Sequence, residues 1–243
     1  MKNLSTYKIE LVALAIGCLV LFSCATNVLT GQTVKETRDL PAFTGISLAF
    51  SGNVYVTQGS PQKVEIEADK STMEIIQSEV DGSTLVLKTK DGHWRDLGVI
   101  KVTITIPDIS ELSVSGSGDL ICASRIKTNE IELHISGSGS VKMSELEANE
   151  ISAEITGSGD IALTGTSNTE SEMDVTITGS GSFKAEGLAV GEASVRITGS
   201  GSATVHALKE LETNITGSGS VYYKGNPMVN ANATGSGKTK SVN

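Results

Sequence analysis

The tripeptide Gly-Ser-Gly recurs seven times in this chain, beginning at Gly116, Gly137, Gly157, Gly179, Gly199, Gly217 and Gly235. The intervals are 21, 20, 22, 20, 18 and 18 residues. A period near 20 is too short for an independent domain. It marks units that can bury their apolar faces only against one another, as the turns of a solenoid do.

Alignment on the first glycine of each motif reveals a two-residue alternation. Two positions before it stand Val114, Ile135, Ile155, Ile177, Ile197, Ile215 and Ala233. Four before stand Leu112, Leu133, Ala153, Val175, Val195, Thr213 and Ala231, and the position six before is apolar from Ile131 to Val229. The residues between are mostly polar, with His134, Glu154, Thr176, Arg196, Asn214 and Asn232 in one column. That is the pattern of a strand with one buried face. A second strand follows each motif, with Leu120, Val141, Ile161, Phe183, Ala203 and Val221 facing inward. Two residues further on, the inward column contains Cys122, which reads as a small core residue. Glycine at the bend between strands allows positive φ and close stacking of turns about 4.8 Å apart.

The expected fold is therefore all-β, a parallel β-helix of about seven Gly-Ser-Gly-marked rungs over residues 111–243. Residues 40–110 are expected to form an N-terminal β cap. Ile46, Leu48 and Phe50 before Ser51-Gly52 read as a degenerate rung. Val64–Ile66, Leu85–Leu87 and Val102–Ile106 read as further strands, with Asp81-Gly82 and Asp91-Gly92 as turns. The final rung is rich in Asn and Ala and leaves an open edge, which invites a homodimer through the β-helix ends.

The N-terminus reads as an address. Lys2 and Lys8 precede an apolar run from Leu11 to Phe22, the length of a signal-peptide core and short of the roughly 20 residues that a spanning helix needs. The run ends in Leu21-Phe22-Ser23-Cys24, which resembles a bacterial lipobox. Residues 1–23 are thus expected to be a lipoprotein signal peptide, with Cys24 the lipidated residue. Residues 24–39 are the expected tether, and the localisation is an outer-membrane lipoprotein facing the periplasm or the cell surface. With Cys18 and Cys24 so accounted for, Cys122 is left without a disulfide partner. The full chain has net charge −9. An acidic balance with no basic cluster argues against nucleic acid as a partner.

The most unusual column lies seven residues before the motif: Glu130, Glu150, Glu172, Glu192 and Glu210 on five consecutive rungs. Carboxylates stacked at rung spacing repel, and calcium, which prefers carboxylate oxygens, could bridge them. Side chains that simply fan into water are the plainer reading. No cofactor is otherwise expected. Asp119 and Asp160 lie two rungs apart, about 9.6 Å, near the separation of an inverting glycosidase pair, but Asp is also a common turn residue. His93, His134 and His206 fall in different columns and do not assemble a metal site. The hydroxyl column from Ser115 to Thr234 reads as a hydrogen-bonded ladder or a regular polar face, with Tyr222 and Trp94 the aromatics nearest to a sugar-binding role.

The Ile-Thr-Gly-Ser-Gly repeats, the preamble Phe43-Thr-Gly-Ile-Ser and Asn53-Val-Tyr-Val-Thr-Gln-Gly, and the Thr-Ile-Pro segment before the first motif resemble the head GIN domain family of auto-transporter adhesins. The resemblance covers roughly residues 40–237. It implies a single-stranded right-handed β-helix of the pectate-lyase-like kind and an envelope location, and it supplies no catalytic residues. The functional expectation is an envelope lipoprotein that presents a rigid β-helix for binding or adhesion, to a glycan or an envelope protein. A polysaccharide lyase or glycoside hydrolase, argued from fold analogy, and a passive scaffold are the alternatives.

Overall fold

The structure is a computed structural model that describes residues 33–90, 97–166 and 168–243. The expected signal peptide, Cys24, His93, Trp94 and the expected Asp91-Gly92 turn lie outside the described residues.

The first part of the chain contributes seven strands and one short helix. These are β1 (Thr33–Arg38), β2 (Gly45–Leu48), β3 (Asn53–Gln58), β4 (Lys63–Asp69), helix α1 (Lys70–Met73), β5 (Ile76–Asp81), β6 (Thr84–Thr89) and β7 (Lys101–Ile106). β8 (Glu111–Val114) and β9 (Asp119–Lys127) flank the first Gly-Ser-Gly. The degenerate rung is real: β2 and β3, on either side of Ser51-Gly52, form a full turn. Its place in the stack is not the one that chain order suggests. β2 pairs in parallel with both β8 and β6, and β3 with both β9 and β7. The turn made by β6 and β7 therefore lies beyond the earlier turn, and the chain passes back across it through Pro107–Ser110 to reach β8.

Antiparallel strands close this end. β5 pairs with β6 through the two-residue bend Gly82-Ser83, β4 pairs with β7, and β1 pairs with β4. Thr33–Arg38, at the end of the expected tether, is thus an edge strand. Lys35 Nζ anchors it through Glu65 at 3.2 Å and Glu67 at 3.3 Å.

From Glu130 onward the repeat is regular. β10 (Glu130–Gly137), β11 (Ser140–Glu147), β12 (Glu150–Gly157), β13 (Asp160–Gly165) and β14 (Asn168–Gly179) alternate between the two sides of the stack. β15 (Ser182–Gly199) and β16 (Ser202–Gly217) each run through the far corner and serve two sides. β17 (Ser220–Lys224), β18 (Met228–Gly235) and β19 (Lys238–Ser241) complete the last turn. The pairing is parallel and in register, with Gly137 beside Gly157, Gly157 beside Gly179, and so on to Gly235. The seven motifs stack into one corner and bound six complete turns.

The inward columns are the core. Val114, Ile155, Ile177, Ile197 and Ile215 have no accessible surface, nor do Leu120, Val141, Ile161, Phe183, Ala203 and Val221 on the second side. Cys122 is buried among them, and burial pushes its thiol pKa up to about 12, so it stays protonated and unreactive. The last described turn departs from the expectation, since Val229, Ala231 and Ala233 continue the inward columns and are exposed, with no turn among the described residues stacked over them. Thr213 is a completely buried polar residue in an inward column. Its hydroxyl meets that of Thr239, on the last turn, at 2.8 Å.

From the second motif onward, both glycines are required by close packing. Gly157 has φ +120°, and a Cβ on it would lie 2.6 Å from the Gly137 carbonyl oxygen. Gly159 has an ordinary φ, but a Cβ there would meet the Ile135 side chain at 2.5 Å and the Gly139 oxygen at 2.6 Å.

Candidate functional site

Strands with one buried face must present the other, and parallel in-register stacking turns each outward residue into a column. On the side formed by β10, β12, β14, the later halves of β15 and β16, and β18, four outward columns run the length of the repeat. The first is the expected carboxylate ladder: Glu130, Glu150, Glu172, Glu192 and Glu210 are Cα partners in succession, all exposed. The structure brings these five residues together as a column with one carboxylate per turn. Among the described residues, no three His, Cys, Asp or Glu side chains are arranged to hold a metal ion.

The second column adds Glu132, Asp174 and Glu212, and the third Glu154, so this side of the stack is strongly acidic. A shallow groove of about 170 Å³ crosses three turns, and Glu172, Asp174, Glu192, Glu210 and Glu212 line it. His134 stands between two acids, its Nε2 3.5 Å from Glu132 and its Nδ1 3.6 Å from Glu154. The fourth column is the hydroxyl ladder, with Ser136, Thr156, Thr178, Thr198, Thr216 and Thr234 in register. The result is a broad, rigid face with carboxylates along one margin and hydroxyls along the other.

The second side is different. Asp119, Ser140 and Asp160 are successive partners, so the two aspartates stand two turns apart with Ser140 between them. The Ser140 hydroxyl donates to Asp119, which gives that carboxylate a structural partner. Lys142 and Lys184 flank Ala162 in one outward column, which continues through Thr204 and Tyr222 to Lys240. His206 lies on this side too, far in register from His134.

The variable corner carries features that the alternation pattern does not signal. Glu147 accepts from Lys127 at 2.7 Å and from Arg125, and these two bonds hold its carboxyl pKa at about 2. Asn149 donates to Asn129 at 2.8 Å and Asn168 to Asn149 at 3.0 Å, a short asparagine ladder across three turns. Gln58 pairs with the backbone of Lys127 as a further strand residue would, accepting from its N–H at 2.8 Å and donating to its carbonyl at 2.9 Å. The asparagines had a visible signal, since Asn129 and Asn149 each precede a ladder glutamate.

Comparison with known proteins matches the fold and most of its length. The family described as "Putative auto-transporter adhesin, head GIN domain" matches residues 42–227. A crystal structure named as a "putative adhesin" from Bacteroides fragilis is 24% identical with a TM-score of 0.80, covering 87% of this chain and 97% of that one. A "putative lipid binding protein" from Parabacteroides distasonis is 22% identical with a TM-score of 0.68, covering 88% and 98%. A "putative adhesin" from Parabacteroides merdae is 24% identical with a TM-score of 0.67, again covering 88% and 98%. At these identities the likeness is one of fold. Among curated proteins there is no significant match.

Proposed function

The chain belongs to the family described as "Putative auto-transporter adhesin, head GIN domain", and from that premise we propose that it is a surface-displayed envelope lipoprotein whose solenoid binds a ligand along its acidic, hydroxyl-bearing face. The observation that carries this reading is the register of that face. Four outward columns are held at fixed spacing by six turns of parallel pairing, with a fully buried core beneath. A surface so preorganised loses little conformational entropy on binding. Its repeat suits an extended or repeating ligand, such as an envelope glycan or the surface of another envelope protein.

The expected anchor is Cys24. Among the described residues no helix is long and apolar enough to cross a membrane, and a lipid on Cys24 would supply the attachment.

The test is binding of the purified protein to intact cells and to immobilised envelope polysaccharides, alongside the variant Glu172→Gln/Glu192→Gln/Glu210→Gln. Binding that the variant loses supports this face. Binding that the variant keeps assigns the contact elsewhere, and no binding by either protein removes the adhesive reading.

A further inference from the structure

The last turn breaks two rules that the earlier turns keep. The column that reads Glu on five successive turns continues in register as Met228, which is 73% exposed. The inward columns, which bury Leu211 and Ile215 completely, continue as the exposed Val229 and Ala233. β18 carries no charge over its eight residues, and among the described strands it pairs only with β16. The opposite end of the stack is guarded. β1 presents Lys35, Glu36 and Arg38, and β5 carries Glu79 and Asp81. Charges on an edge strand oppose pairing with another chain, and β18 lacks them.

We propose that the β18 edge is a contact surface for a second copy of this chain, the two strands joining antiparallel about a twofold axis. A twofold contact requires a self-complementary patch. The strand Met-Val-Asn-Ala-Asn-Ala-Thr-Gly meets its own copy without a like-charge pair. Because Asn230 and Asn232 alternate with Ala231 and Ala233, antiparallel pairing sets amides beside amides outside and continues the apolar columns inside. Lys238 and Lys240 of β19 lie on the second side of the same turn, exposed to solvent and not on the pairing strand. The twofold pair also places both Thr33 ends outermost, an arrangement that doubles the binding face without obstructing it.

Multi-angle light scattering of the full chain in detergent, with the detergent mass subtracted, tests this directly. Two edge-charged variants are run beside it: Met228→Glu/Asn232→Lys, and Asn232→Lys alone, which alters one exposed side chain. The expected result is a wild-type dimer whose fraction rises with concentration, and monomeric variants that melt at the wild-type temperature. A wild type that stays monomeric at every concentration, variants that dimerise as the wild type does, or assemblies that grow past two would each overturn the proposal. None of these outcomes depends on whether the acidic face binds a ligand.

Discussion

The carbonyl oxygen of Gly137 lies 2.6 Å from the point where a Cβ on Gly157 would sit, and Gly157 holds φ at +120°. Any side chain there meets backbone on the neighbouring turn and strains its own. Gly116 opens the same motif on the first turn, yet a Cβ on it would find its nearest neighbour at 4.0 Å, and its φ is not positive. Gly157→Ala should therefore destabilise by about 1–3 kcal/mol or more, whereas Gly116→Ala should stay within about 0.5 kcal/mol of wild type. Denaturant unfolding of the two variants measures the difference.

Thr213 is completely buried, and its hydroxyl has Thr239 as its partner. Thr239→Val should cost about 1–3 kcal/mol, because it strands a buried hydroxyl. Thr213→Val/Thr239→Val should recover most of that loss, since neither partner then needs a hydrogen bond. A double-mutant cycle on melting temperature checks the asymmetry.

Glu147 has its carboxyl pKa lowered to about 2 by Lys127 and Arg125. A depressed carboxylate stabilises the fold fully above the unfolded value near 4.5, and that contribution is lost as pH falls through about 2. Glu147→Gln should melt slightly below wild type at neutral pH, and the gap should close between those two values. A gap that persists unchanged in acid would contradict the ion pairing.

Glu192 sits in register between Glu172 and Glu210. Removing the central charge should relieve like-charge repulsion, so Glu192→Gln should gain roughly 0.2–1 kcal/mol at low ionic strength and lose the gain in high salt. The same pair of proteins tests the calcium expectation. It stands if calcium raises the melting temperature of wild type more than that of Glu192→Gln, and it falls if calcium changes neither.

The repeated turns were legible because their alternation is local. Each buried Ile and each outward Glu is dictated by position relative to a glycine two to seven residues away, and parallel stacking preserves that position from turn to turn. The order of the first turns was not legible. Leu48 lies between Leu87 and Val114, and all three have the same inward pattern, so nothing in the neighbouring sequence says which turn is inserted between the others. Thr33–Arg38 read as tether because its alternation is polar, and only the long-range pairs of Lys35 with Glu65 and Glu67 reveal an edge strand. Ala231 and Ala233 keep the inward pattern but are exposed among the described residues. On the candidate face, the glutamate column was readable by spacing. The groove that joins it to Asp174 and Glu212 was not, because it depends on two columns lying side by side.

Protease treatment of intact cells, followed by immunoblotting for the solenoid and for a periplasmic control, tests surface display. The solenoid is expected to disappear while the control survives. A solenoid that persists on intact cells, although the same protease cleaves the purified protein, would contradict it and place the acidic face toward the periplasm.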